Sequence, residues 1–448
     1  MTAQKFFPEL RVRAIVLLPL VTAILGGPAL CVADVDSAAL DAAISAEQPK
    51  VIAWRRDLHE HPELGNRETR TAKIVAAHLT HLGLAVQTQV AHTGVVALLR
   101  GGLPGPTVAV RADMDALPVT EKTDVPFRSQ VTTSYHGETV GVMHACGHDS
   151  HTAMLMGLAE ELSALRATLP GNVLFIFQPA EEGPPEGEEG GARLMLKEGI
   201  FDKYQPQVVF GLHVWSTLHV GEIGLRAGPE MAAADSFRVL VKGRQSHGSR
   251  PWGAIDPIVT AAAIVTALQT VVSRNLDITA NPAVVSVGAI KGGVRANIIP
   301  AQVEMLGTIR TFTDAQHALV LDAMQRIITH TAAANGATAE FAVTEHYPVT
   351  SNDPALTRRI LPSLEQVVGA GNIKTMDLIT GAEDFSYYAQ KVPGVFFFVG
   401  ITPPEQNAEA APSNHSDYFY LDERGITVGM RAMAKVVVDY LQSEEHRS

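Results

Sequence analysis

Cysteine is nearly absent from this chain: two occur among 448 residues, Cys31 and Cys146. That scarcity excludes a disulfide-stapled fold and any zinc site built from cysteine alone. Aromatic residues make up 6% and charged residues 18%, with acidic groups in excess for a formal net charge of -12. No run or patch of Lys and Arg occurs, so nucleic acid is not an expected partner. Internal repeats and low-complexity tracts are also lacking. What remains is a globular composition, 46% hydrophobic, ample over this length for a large core and more than one domain.

The N-terminal segment has the pattern of an export signal. Lys5, Arg11 and Arg13 precede an apolar run from Ala14 to Leu30, broken by Pro19 and Gly26-Gly27, and Cys31-Val32-Ala33 offers small residues for cleavage. A cleaved signal over 1–33 and a periplasmic destination are expected, a retained anchor being the alternative. The run is short for a spanning helix and carries Pro and Gly. Pro28-Ala29-Leu30 is a poor match to a lipid-attachment site at Cys31. No second span is expected, so the mature chain would have no stable place in a bilayer. Cleavage would leave Cys146 alone, with no intramolecular disulfide partner, and a metal would shield a thiol otherwise open to oxidation.

Cys146 lies in Val142-Met143-His144-Ala145-Cys146-Gly147-His148-Asp149-Ser150-His151, which packs one thiol, three imidazoles and a carboxylate into ten residues. Gly147 allows a tight backbone that aims its neighbours at a common point. Sulfur, nitrogen and oxygen ligands together suit a zinc-type transition metal, and admit zinc, manganese, nickel or cobalt. The plainer alternative is a histidine-rich surface turn, but matching groups stand elsewhere. Apolar runs at Thr107–Val110, Val173–Phe177 and Val208–Leu212 release Asp113 and Asp115, Glu181 and Glu182, and His213 at their carboxyl ends. Ligands bind at that edge in open α/β sheets.

Helical patterns cover Ala38–Leu58, Thr69–Leu82 and Thr152–Leu169. After about Gly221 the order changes. Strand-like runs at Ser236–Val241, Ala283–Ile290, Gln302–Ile309 and Thr338–Thr344 alternate with helical stretches Pro257–Val272 and Asp314–Ala334. The α/β pattern then resumes, with a helix to Val368, the strand Val395–Val399, a loop holding His415, and a last helix from Arg424 to Leu441. The expected architecture is α/β: a mixed-sheet catalytic domain over 34–224 and 347–448, with an inserted ferredoxin-like βαββαβ satellite domain over 225–346.

Several stretches together resemble one family. They are Arg56-Asp57-Leu58-His59 with Pro62-Glu63-Leu64-Gly65, Arg111 to Pro118, Met143 to His151, Gln178 to Gly183 and Gly211-Leu212-His213. Ser246-His247-Gly248, Arg295-Ala296-Asn297 and Gly381-Ala382-Glu383-Asp384-Phe385 complete the set. In that order, over nearly all of the chain after residue 33, they resemble the co-catalytic metallopeptidases related to aminoacylase and glutamate carboxypeptidase. Within these the chain is most similar to the N-acyl-amino-acid amidohydrolases, among them hippurate hydrolases and plant hydrolases of auxin–amino acid conjugates.

The resemblance implies two divalent metal ions held by Cys146, His148, Glu182, His213 and His415, with the Cys146 sulfur between them. It makes Glu181 the general acid/base and Asp115 a residue that orients a ligand, a strand-end cap being the alternative for Asp115. It implies that His247 reaches a neighbouring subunit's site to stabilise an oxyanion, hence a homodimer. Asn297 and Arg310 would hold the substrate carboxylate, and Glu383 would line the site. The expected reaction is hydrolysis of a small N-acyl amino acid to a carboxylic acid and a free amino acid. Asp113 departs from the wider superfamily, which has a histidine ligand there; Cys146 and His148 stand where other branches carry a bridging aspartate. His59 and His61 are expected to make structural hydrogen bonds. Rivals are a carboxypeptidase or dipeptidase on the same scaffold, a cysteine amidase using Cys146 with His148 as base, and a periplasmic metal carrier without turnover.

Overall fold

The apolar runs form the middle of an eight-stranded sheet in the computed structural model, which describes residues 1–2 and 35–443. The expected export segment lies, but for its first two residues, outside these. Strands follow the order Ala85–Val90, Gly94–Arg100, Pro170–Gln178, Leu103–Asp113, Val208–His219, Gly394–Thr402, Ile223–Leu225, Ile373–Thr375. The four central strands run parallel, and antiparallel pairs flank them, so the sheet is mixed.

Both faces of the central strands are buried, which is why they read as unbroken apolar runs rather than alternating ones. Successive side chains point to opposite faces. Phe175, Phe177 and Phe397 join one core beneath the helices Ser37–Glu60, His148–Ala164 and Arg424–Gln442. Leu174, Ile176, Phe396 and Phe398 join the other, beneath Gly191–Lys197, Ile200–Tyr204 and Phe385–Ala389. Each such fully buried phenylalanine contributes about 1.5–3 kcal/mol.

The satellite is a four-stranded antiparallel sheet in the order Val284–Gly292, Gln302–Thr311, Ala233–Lys242, Thr338–Tyr347, packed on the helices Pro257–Asn275 and Asp314–Ala334. The chain order is the βαββαβ read from the sequence. Asp256 caps the first helix and Pro257 occupies its first turn, where a missing N–H leaves nothing unsatisfied. Among the described residues that helix alone is long and apolar enough to cross a membrane, yet Ile264, Leu268 and Val271 pack into the satellite core. The chain enters and leaves the satellite through paired strands, Gly228–Met231 against Thr350–Asn352.

Two expected boundaries shift. The helix after Cys146 starts at His148 instead of Thr152, because Gly147 at φ 99 turns the chain directly into it, and it ends at Ala164. Strand Val208–His219 continues past Leu212, so His213 lies within it. Its pairing with Leu103–Asp113 stops at Gly211, while pairing with Gly394–Thr402 continues. His213 therefore emerges where one neighbour has ended.

Candidate metal centre

Five segments converge above the carboxyl ends of the central strands. Nε2 of His213 lies 3.3 Å from Cys146 Sγ, and Nε2 of His415 lies 3.2 Å from it on another side. Glu182 Oε1 is 3.0 Å from His415 Nε2, and His148 Nε2 is 3.9 Å from Glu181 Oε2. Ligand-type atoms fall within 4.8 Å of one another in the groups Cys146/His148/His213, Cys146/Glu182/His415 and His148/Glu181/Glu182. The sulfur is common to two of them. The structure thus brings together all five side chains expected to hold metal.

Proton positions follow from fixed partners, since a backbone carbonyl can only accept. His148 Nδ1 donates to Asp115 O at 2.8 Å, and His213 Nδ1 donates to Val214 O at 2.7 Å. Burial keeps the His213 ring neutral, so its Nε2 is a bare lone pair; against its burial, Asp113 and Asp115 raise His148 to about 10, so a cation at its Nε2 would take the place of a proton. His148 Nε2 is buried with no hydrogen-bond partner among the described residues. Ring nitrogens, a sulfur and carboxylate oxygens aimed at one another repel unless cations lie between them, so the donor set fits a metal pair. Without a cation, burial together with Glu182 and Glu181 pushes the Cys146 thiol well above its usual range. That opposes the nucleophilic thiolate a cysteine amidase needs.

The carboxylate pair sits on a turn. Neighbouring N–H groups of Glu181 and Glu182 donate to the two oxygens of Asp115, at 3.0 and 2.9 Å. Asp115 is 1% exposed, so these bonds are shielded from water. Through its carbonyl it orients His148, and through its carboxylate it orients the turn. Its contacts with His148 and with the turn are those of a residue that positions other groups. Burial, then Glu383 and Glu182, holds the Glu181 carboxyl well above the ordinary range.

His415 stands on a loop in a left-handed conformation, φ 72, with its side chain 54% exposed. The adjacent Asn414 pins that loop by donating to Cys146 O and Val214 O, both at 3.1 Å.

Arg111 was legible only as part of a motif. It is fully buried, with Nη1 on Asp113 at 2.6 Å and Nη2 on Glu383 and Asp384, both at 2.9 Å. A substrate contact for Glu383 is not what these partners indicate. Its Oε1 accepts from Arg111 and from Phe385 N–H at 2.8 Å, and the residue is 2% exposed. His151 is likewise fully used. Nδ1 donates to Asp113 at 2.6 Å and Nε2 accepts from Val214 N–H at 2.9 Å. His59 contacts Asp149 and Glu121 at 2.8 and 3.2 Å, while His61 contacts Asp57 O at 2.9 Å. Both are protein hydrogen bonds away from the cluster.

A cleft of about 960 Å³ adjoins the cluster, lined by Glu182, Arg310, Tyr347, Asp384 and the loop Gly183–Gly190. Arg310 projects from the satellite sheet, hydrogen-bonded to Thr308 Oγ1 at 2.6 Å. His247 and Asn297 are neighbours on a separate ribbon, where Gly248 N–H donates to Asn297 O at 2.8 Å and Ser246–His247 pairs with Ile298–Ile299. Both are exposed, and among the described residues neither lines the cleft. His247 Nδ1 accepts from Ser249 N–H at 3.1 Å, which leaves the ring proton on Nε2. A groove of about 820 Å³ beside the helix Thr69–His81 carries none of the clustered groups.

Comparison with known proteins agrees with this geometry. The chain is 40% identical over 392 residues to Thermostable carboxypeptidase 2 of Saccharolobus solfataricus, covering 87% of this chain and 95% of the relative. It is 38% identical over 397 residues to the N-acetylcysteine deacetylase of Bacillus subtilis, covering 88% and 97%. A solved Bacillus subtilis structure described as a dinuclear metal binding peptidase from the M20 family superposes with TM-score 0.73 at 36% identity, covering 89% of this chain and 99% of that one. Fold and site define a metal-dependent hydrolase of amide bonds that works with two divalent ions. Residues 109–439 match Peptidase family M20/M25/M40, and the chain belongs to that family.

Proposed function

We propose that this enzyme hydrolyses the amide of small N-acyl amino acids, as the name of the similar N-acetylcysteine deacetylase suggests. The observation that carries the mechanism is the split between two adjacent carboxylates, Glu182 turned to His415 and Cys146, Glu181 turned to His148. When bound, the divalent ions supply Lewis acidity and a water acidic enough to attack near neutral pH. Cys146, His148, Glu182, His213 and His415 would hold them. Glu181, buried and raised in basicity, takes the water's proton and returns one to the leaving amine. Arg310, desolvated in the cleft wall and, among the described residues, without a carboxylate within ion-pair distance, is suited to the substrate carboxylate.

His247 and Asn297 belong to this reading as groups offered to a second copy of the chain. An Nε2–H donor is what a developing oxyanion requires. A homodimer formed along the edge strand Val284–Gly292 would cover Ile258, Val259, Ile290 and Val294, which are 46%, 58%, 55% and 96% exposed. Export to a periplasm rests on the sequence of residues 1–33.

The test is Glu181→Gln, assayed on a panel of N-benzoylglycine, N-acetyl amino acids and dipeptides alongside elemental analysis. The variant should retain both metal ions and lose at least about 100-fold in kcat, the range of a positioned acid/base. Full activity in Glu181→Gln would remove the mechanism. Turnover of dipeptides but no acyl amino acid would shift the reading to the carboxypeptidase named among its relatives.

A further inference from the structure

Two phenols fasten the end of the satellite sheet to the floor beneath the carboxylate pair. Tyr347, last residue of the strand Thr338–Tyr347, donates its hydroxyl to the backbone carbonyl of Glu181 at 2.8 Å. Tyr387, from the short helix that follows Glu383 and Asp384, donates to the carbonyl of His346 at 2.6 Å. Both rings line the 960 Å³ cleft and also a cavity of about 200 Å³ behind it, with Asp235 and His317. The satellite therefore touches the catalytic turn itself and not only its rim.

That turn is strained and needs holding. Ala180 precedes the carboxylate pair at φ 51, a left-handed conformation that an alanine keeps only when its surroundings impose it. Three holds come from the large-sheet body. Ala180 N–H donates to the buried Glu68 at 2.8 Å, and the next two N–H groups donate to Asp115. The fourth hold, on the Glu181 carbonyl, is the Tyr347 hydroxyl. The first three engage N–H groups, and this one engages the carbonyl of the acid/base residue, whose side chain swings as that peptide plane tilts.

We propose that Tyr347 is a positioning residue whose hydroxyl, by holding the Glu181 carbonyl, makes the aim of the acid/base depend on the seating of the satellite sheet. The inference rests on Glu181 being that acid/base. A substrate gripped by Arg310 pulls on the same sheet that ends in Tyr347, so binding and alignment are joined through one strand, Ala233–Lys242, which pairs with both Gln302–Thr311 and Thr338–Tyr347. Distance and alignment at the reacting centre govern the rate more than they govern affinity.

The experiment is Tyr347→Phe in the full-length, metal-loaded enzyme, with N-benzoylglycine and N-acetylcysteine as probes. Loss of one hydrogen bond to a positioned turn should lower kcat about 3- to 10-fold, with KM within about twofold and metal content unchanged. A cycle with Glu181→Asp supplies the second measurement. In that background, where the carboxylate is already displaced, Tyr347→Phe should lower kcat by less than about twofold more. The inference is overturned by unchanged kcat, by a rise in KM alone, by loss of fold or metal in Tyr347→Phe, or by a fully multiplicative loss in the double variant. An active Glu181→Gln would instead refute the acid/base assignment, so the two failures are told apart.

Discussion

Asp115 offers the sharpest test of how the centre is held. Its two oxygens accept from Glu181 and Glu182 N–H at 3.0 and 2.9 Å, with the residue 1% exposed. Asp115→Asn keeps the shape but offers one carbonyl oxygen where two carboxylate oxygens stood, and turns an amide NH2 toward the other N–H. One hydrogen bond to a charged acceptor is lost, about 1.5–3 kcal/mol. If that loss falls on the transition state, kcat drops roughly 10- to 150-fold, since 1.36 kcal/mol is tenfold in rate. Groups that orient metal ligands commonly show losses of about 10–100-fold, which overlaps most of that range. Asp115→Ala orphans both donors, about 2–6 kcal/mol in all, and should also release metal and lower the melting temperature. Steady-state kinetics on an N-acyl amino acid, elemental analysis and thermal melts on the two variants separate these outcomes. Asp115→Asn with kcat within twofold of the parent would show that the turn holds itself, and the reasoning would fail.

Gly147→Ala should destabilise by about 1–3 kcal/mol and lower metal occupancy, because φ 99 disfavours a side chain and the new Cβ would overlap Val214 Cγ2; calorimetry with metal analysis checks it. Glu47, 8% exposed, has its carboxyl raised to about 8 by burial and by Glu161 and Glu160. The unfolded chain releases this proton near 4.5 while the folded one keeps it, so stability should fall as pH rises from about 4.5 to about 8. Glu68 and Glu383, raised to about 8 by burial, add to the same slope, so Glu47→Gln should reduce it in denaturant melts, and an unchanged slope would exclude a contribution from Glu47. Chelator should abolish activity and added divalent metal restore it, whereas Cys146→Ala should bind less metal; activity that survives complete metal removal would revive the cysteine amidase.

Much of the architecture was legible because it is local. Unbroken apolar runs such as Val173–Phe177 announce strands buried on both faces, and the residues that follow them were the ones found at the centre. The five side chains of the proposed metal centre were legible by type and by resemblance, and the structure brings them together. What escaped notice depends on partners far apart in the chain. His151, one of the three imidazoles of the Cys146 motif, is taken up by Asp113 and Val214 N–H, which engage both its nitrogens. Glu383 looked open until Arg111 closed on it. Arg111 itself carried a signal: a guanidinium in the middle of Val108-Ala109-Val110-Arg111-Ala112 must find carboxylates if that strand is buried on both faces. Tyr347 and Glu68 left no such trace, because each acts on backbone groups more than 100 positions away.

The paired strands Gly228–Met231 and Thr350–Asn352 have a consequence for how such chains diversify. Everything between them departs from and returns to one doorway whose two posts are bonded together. Lengthening that excursion leaves the doorway in place, and each doubling of a loop adds only about 0.6 kcal/mol of closure entropy. His213, upstream of it, and His415, downstream, keep their mutual spacing whatever is built in between. A lineage is thereby free to rebuild the wall that meets the substrate while the seats of the cations stay where they are.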